Sequence, residues 1–228
     1  MDSSSRLRAG WAILAASALA LASSAALAAA SGGPEKVSYT AADQAAARAV
    51  VVRRSDLPPA GAWQGGTKSV TKADLAPLSC PGFHPKVSDL VVTGAADSTW
   101  KYGPDSLESL AVVLRTADMV TSDWARSVQT AGAAACAASS LGKTAGANVK
   151  VVSYGKVSFP HVAPHATAFR FDLALTSQGV TIPVVVDTVL VGKSRTELTL
   201  TSGGPKATAP PVSYLARVAR LLLARVRA

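Results

Sequence analysis

Residues 166–202 read ATAFRFDLALTSQGVTIPVVVDTVLVGKSRTELTLTS. Phe169, Phe171, Leu173 and Leu175 fall on one parity, Ala168, Arg170, Asp172 and Ala174 on the other. A period of two is the mark of a strand that packs one face and wets the other. Ser177-Gln178-Gly179 and Gly192-Lys193 cut the run into three strands with short turns. A fourth strand, NVKVVSYGKVSF, precedes them at 148–159. Four strands joined by Gly- or Pro-bearing turns predict an antiparallel meander.

Upstream, SDLVVTGAADSTWKY (88–102) and SLESLAVVLRT (106–116) flank a Gly103-Pro104 turn and predict two further strands. In the second, Leu110, Val112 and Leu114 share one face, while Ser109, Ala111, Val113 and Arg115 share the other. Trp63 marks a short strand in a segment, 61–85, that otherwise shows little regular pattern.

Three helices complete the pattern. Thr40 with Asp43 is a variant capping box ahead of the Ala-rich 41–52, and Pro58-Pro59 stop that helix. Thr116 caps a second helix with Asp118 in its first turn, and Val120, Trp124 and Val128 recur on its buried stripe. Gly132 ends or kinks it, and a break there re-aims Cys136. The last helix lies in PPVSYLARVARLLLARVRA, with Leu215, Val218, Leu222 and Val226 opposite Arg217, Arg220, Arg225 and Arg227. The expected fold class is α+β: an antiparallel sheet of about five to six strands with helices packed on one face.

The N-terminus carries an address. Arg6 and Arg8 precede WAILAASALALASSAALAAA, and Ala26-x-Ala28 or Ala28-x-Ala30 offers a cleavage site. Basic, apolar and small-residue regions in that order are a secretory signal peptide. The alternative is an uncleaved anchor, since the run approaches the ~20 residues that span a bilayer. The expected organisation is signal 1–30, linker 31–39 and a single α+β envelope domain over 40–228, with an extracytoplasmic location, secreted or bound to the cell envelope.

Export gives the two cysteines, Cys80 and Cys136, a reason. An even pair in an oxidising compartment favours a disulfide. Closing a loop of more than fifty residues stabilises the fold by up to about 4 kcal/mol. The alternative is a reactive thiol. Zinc needs more ligands than two distant cysteines supply.

Charge is unevenly spread. Residues 31–142 hold ten Lys/Arg and ten Asp/Glu, whereas 143–228 hold eleven and three. The basic half either attracts an anionic envelope component or forms a solvated face whose stems cover apolar surface. No aromatic platform accompanies the charge, which argues against nucleic acid.

No sequence motif names a reaction. There is no G-x-S-x-G elbow, no P-loop and no G-x-G-x-x-G. His161 and His165 stand four apart, but Pro160 and Pro164 deny them a helix, so they read as solvated loop residues, as does His84. Asp187 interrupts the apolar VVVDTVLV and must find a partner or water. It reads as one end of a salt bridge or as a ligand contact, with Arg170 and Asp172 its candidate neighbours.

Several stretches carry a family likeness: RRSDLP (53–58) after the first helix, the cysteine loop LSCPGF (78–83), LAVVLRTADMVTSDWARSVQTAGAAAC (110–136), PVVVDTVLV (183–191) and the closing amphipathic helix. Their layout resembles the extracellular sensor domains of mycobacterial H-type serine/threonine kinases and their free-standing secreted relatives. The resemblance implies ligand binding in a cleft. It also implies a second disulfide, for which this chain has no cysteines.

The expected role is therefore a non-catalytic ligand-binding or sensor-like domain of the envelope. Its ligand is an unknown small molecule or an anionic envelope component. No cofactor or metal is expected, and the membrane is touched only through an uncleaved signal. The alternatives are an envelope hydrolase, which would bring a histidine to a serine and a carboxylate, and a structural partner of another envelope protein.

Overall fold

A computed structural model describes residues 36–59 and 62–226. The signal peptide expected at 1–30 lies outside them, as does Arg227. The meander is present as β5 (Val149–Val157), β6 (His165–Ser177), β7 (Val180–Lys193) and β8 (Thr196–Pro205). The two upstream strands are β3 (Val91–Tyr102) and β4 (Asp105–Leu114). They join the meander through β4 and β8, giving the path β1-β3-β4-β8-β7-β6-β5.

Among the described residues the sheet has eight strands, not five to six. The additional strands are short and sit together on the outer edge of β3. β1 (Lys36–Val37) runs parallel to Val91–Val92, and β2 (Gln64–Lys68) runs antiparallel to Asp97–Lys101. β1 falls within the stretch read as linker. Neither has an alternating pattern, since one is two residues long and the other is QGGTK, so the edge of β3 rather than local propensity makes them strands.

One sheet face is covered by α1 (Ala41–Val50) and α4 (Val212–Leu223). Thr40 caps α1, its Oγ1 accepting from Asp43 N at 3.1 Å. The end of α1 is tied to the sheet: Val52 N donates to Ser109 Oγ at 2.8 Å, and Trp100 Nε1 donates to Val52 O at 3.0 Å. Those bonds satisfy the N–H and C=O of Val52, the buried residue just past the helix C-cap. Gly94 lets α1 come this close, because a Cβ there would lie 2.2 Å from the Asp43 carbonyl oxygen. Leu215 and Leu222 of α4 are wholly buried on the same face, as are Ala111, Ala168, Val189 and Leu200 beneath them.

The other face is covered too, so the helices are not confined to one side. α2 (Ala117–Asp123), a π-turn (Trp124–Val128) and α3 (Ala133–Thr144) cross it. Two-sided cover was concealed by reading β4 and β6 as half-buried. In β4 both parities are apolar, Leu110 and Val112 on one side and Ala111 and Val113 on the other, so neither is a wet face.

Gly132, at φ +95°, is the N-cap of α3. That left-handed backbone suits glycine and turns the chain sharply after the π-turn. The turn re-aims Cys136 against Phe83 and Leu78, where it bonds Cys80 with Cα atoms 5.6 Å apart.

Candidate functional site

The two faces are filled differently. Ala111, Val189, Val191, Leu198 and Leu200 point toward α1 and α4 and are 1 % exposed or less. Their immediate neighbours Leu110, Val112, Thr188, Leu190, Thr199 and Thr201 point the other way and are only half-buried, although they belong to central strands. The reason is a cavity of about 270 Å3 between the sheet and its cover. Its floor is β4, β8, β7 and β6, down to Phe169 and Phe171. Its roof is Trp124, Ser127 and Val128 of the π-turn, Ala134, Ala137 and Leu141 of α3, and Leu75, Leu78 and Phe83 of the disulfide loop.

The π-turn contributes directly to the roof. Gln129 N reaches back five residues to Trp124 O at 3.1 Å, widening the helix where it crosses the cavity. Trp124 is held from behind by His165, whose ring stacks on it with centroids 5.2 Å apart. The disulfide fixes the loop to α3, so the roof's two halves are one covalent unit.

Polar groups in the cavity follow the sheet register. Thr188, Thr201 and Glu108 stand side by side on β7, β8 and β4. Glu108 is 8 % exposed and Asp97, on β3, 5 %. Lys68 of β2 reaches both carboxylates, its Nζ 3.3 Å from Asp97 Oδ2 and 3.6 Å from Glu108 Oε1. Burial, reinforced by the Asp97 charge, pushes the Glu108 carboxyl up to about 7. Burial likewise raises Asp97. Burial would lower Lys68, but the two acids outweigh it and hold its ammonium above the usual range. Asp123 and Glu197 place a second acid pair on the cavity wall, and burial raises the Asp123 carboxyl.

None of the residues proposed from sequence lines this cavity. Arg170 and Asp187 are cross-strand partners facing away from it. Arg170 Nε and Nη2 donate to Asp187 Oδ1 and Oδ2 at 2.8 and 2.7 Å, and Asp187 is 1 % exposed. Asp172 accepts from Lys206 Nζ and Ser153 Oγ, both at 2.8 Å. The charges on this face are thus mutually paired.

The basic helix is divided in use. Arg217 and Arg220 are exposed, but Arg225 turns inward, its Nη1 donating to Asp56 Oδ2 at 2.9 Å. His84 Nδ1 lies 2.6 Å from Ser79 Oγ, and among the described residues no carboxylate hydrogen-bonds to it. His165 contacts Thr121 Oγ1 at 3.4 Å, and His161 is exposed. Among the described residues no three His, Cys, Asp or Glu side chains converge as metal ligands.

Glu108 is absent from the sequence-based candidates, although the sequence holds a signal for it. It shares its parity with Leu110 and Val112 in SLESLAVVLRT, an acid on an apolar stripe. Asp123 and Glu197 lie far apart in the chain, and only the packing of α2 over the sheet brings them to one chamber.

No family model and no curated protein matches the chain. Among solved structures it is similar to an uncharacterised protein of Mycobacterium smegmatis, the Rv0999 ortholog. That likeness has a TM-score of 0.47 at 10 % identity, covering 82 % of this chain and 98 % of the other.

Proposed function

We propose that this chain is a non-catalytic binding domain of the cell envelope that takes an apolar small molecule between its sheet and the roof formed by α2, the π-turn, α3 and the disulfide loop. The observation that supports this reading is the asymmetry of the two sheet faces. One is closely packed where α1 and α4 cover it, while the other leaves mid-sheet leucines, valines and threonines half-buried around a space of about 270 Å3. A largely apolar concavity with a few placed polar groups is the usual form of a small-molecule site. The Cys80–Cys136 bridge in the roof favours an oxidising, extracytoplasmic setting, consistent with the signal sequence. A sensor-like role follows from the roof, because a ligand that fills the cavity touches α2, α3 and the loop together.

The test uses N-phenyl-1-naphthylamine, an uncharged apolar dye that brightens out of water. Wild type is expected to bind it saturably. Thr199→Phe, which builds a ring into the cavity from β8, is expected to lose at least tenfold in affinity while keeping its circular dichroism spectrum. Dye binding unchanged in folded Thr199→Phe would overturn the reading.

A further inference from the structure

The whole chain carries a formal charge of +9, yet every charged residue lining the cavity is an acid: Asp74, Glu108, Asp123 and Glu197. Glu108, with Asp97 behind it, points to a ligand's head group. Glu108 is more than nine-tenths buried, lines the cavity, and hydrogen-bonds to the Asp97 carboxyl beside it. Apart from each other, Glu108 Oε2 and Asp97 Oδ1 have no hydrogen-bond partner. Lys68 occupies the outer oxygens of both, Asp97 Oδ2 and Glu108 Oε1. The result is a buried carboxyl pair with one cation attached, a proton shared between its inner oxygens, and acceptor capacity left over once that proton leaves. Such capacity costs stability unless a donor meets it.

Resting on the cavity reading above, we propose that the ligand is an amphiphile with an apolar chain and a cationic amine head, and that its ammonium binds the Glu108–Asp97 pair opposite Lys68. The chain lies on Leu110, Val112, Leu190, Phe169 and Phe171, which supply the apolar contact. An ammonium offers three donors and a unit charge, the complement of two acceptors in a low-dielectric pocket. A carboxylate or phosphate head would enter a chamber walled by acids with no cation on its lining, and repulsion would exclude it. The groups that set the local field are Lys68 of β2, Asp74 of the following loop, Asp97 of β3 and Glu108 of β4, with Asp123 of α2 and Glu197 of β8 on the far wall. Since Glu108 titrates near neutrality, an arriving ammonium displaces the proton held there, and binding releases it to solvent.

Three probes of equal chain length separate the possibilities: decylamine, decanol and decanoate, titrated calorimetrically into the full chain. Decylamine is expected to bind at least tenfold more tightly than decanoate, with decanol between them. Its heat should vary with the ionisation enthalpy of the buffer at pH 7, reporting proton release, and decanol's should not. Glu108→Gln is expected to weaken decylamine at least tenfold and leave decanol within twofold. Should that variant fail to fold, Asp97→Asn and the wild-type buffer series carry the same test. Decanoate binding as tightly as decylamine, or amine binding without proton release, would overturn the head-group assignment. If all three probes then still depend on Thr199, the cavity reading survives. If Thr199→Phe leaves all three unchanged, both fall together.

Discussion

Arg170 and Asp187 sit opposite one another on β6 and β7 and form a two-pronged ion pair, 2.8 and 2.7 Å, around a carboxylate that is 1 % exposed. The arginine side chain is 36 % exposed. This asymmetry sets the first expectation. Removing the arginine strands a buried charge, whereas removing the aspartate leaves an arginine that can turn to water. Arg170→Ala should cost about 3–5 kcal/mol and Asp187→Ala clearly less. Urea unfolding of the two variants measures the difference, and equal costs would contradict it.

Stability should depend on the Glu108 carboxyl in a defined pH window. Its folded value, about 7, lies above the ordinary 4.5, so the folded chain keeps a proton the unfolded chain gives up. Stability is therefore expected to fall as pH rises from 4.5 toward 7 and above. Glu108→Gln should flatten that slope and melt higher than wild type at pH 8. Asp43, Asp56 and Asp74 are shifted the opposite way, below 3.8, so their contribution is lost only in acid and does not overlap. A Glu108→Gln protein that melts lower at pH 8 would refute the assignment.

The disulfide should matter for the cavity as well as for the fold. Its chain-entropy contribution is about 2–4 kcal/mol. The double variant Cys80→Ser, Cys136→Ser is expected to lose that much and to bind N-phenyl-1-naphthylamine more weakly even below its melting temperature, because half of the roof comes loose. Full-strength dye binding in the folded double variant would show that the loop is not needed as a wall.

Gly94 and Gly132 make separate demands. A methyl at Gly94 meets the Asp43 carbonyl at 2.2 Å, so Gly94→Ala must push α1 off β3. At Gly132 the only Cβ neighbour is Phe83 at 4.0 Å, and the obstacle is the φ of +95°. Gly132→Ala should cost about 1–2 kcal/mol and Gly94→Ala at least as much. Thermal melts rank the two. Hydrogen exchange should show loss of protection in α1 only for Gly94→Ala, and protection of α1 unchanged in both would be inconsistent with the close approach.

The basic face of α4 should prove energetically divided. Arg225 is anchored to a buried Asp56, while Arg217 and Arg220 stand in solvent. Arg225→Ala is expected to destabilise by about 1–3 kcal/mol. The double variant Arg217→Ala, Arg220→Ala should stay within about 0.5 kcal/mol per site. Chemical denaturation of both proteins distinguishes a structural arginine from surface charge.

The strands of the meander were legible because their alternation is local: Phe169 to Leu175 declare a strand whatever surrounds them. So were the Thr40 cap, the break at Gly132 and the apolar stripe of the last helix, each written within a few residues. The strand count was only partly so: Trp63 marks the short strand that forms as β2 at Gln64–Lys68, but Lys36–Val37 becomes β1 only along the edge of β3. The second helical layer was hidden for a related reason. Alternation shows that the parities of a strand differ, but not that both are covered.

The sequence by itself determined an α+β chain, a cysteine pair and the pairing need of Asp187, because these depend on local period, on residue type and on the cost of burying charge. The tertiary structure alone decided where the cavity lies. It turned Arg170 and Asp187 toward each other and away from the cavity. It also gathered Asp74, Glu108, Asp123 and Glu197, from a loop, two strands and a helix, around one apolar chamber. Contacts between residues far apart in the chain leave no periodic trace along it, so the chamber has no counterpart in any single stretch of sequence.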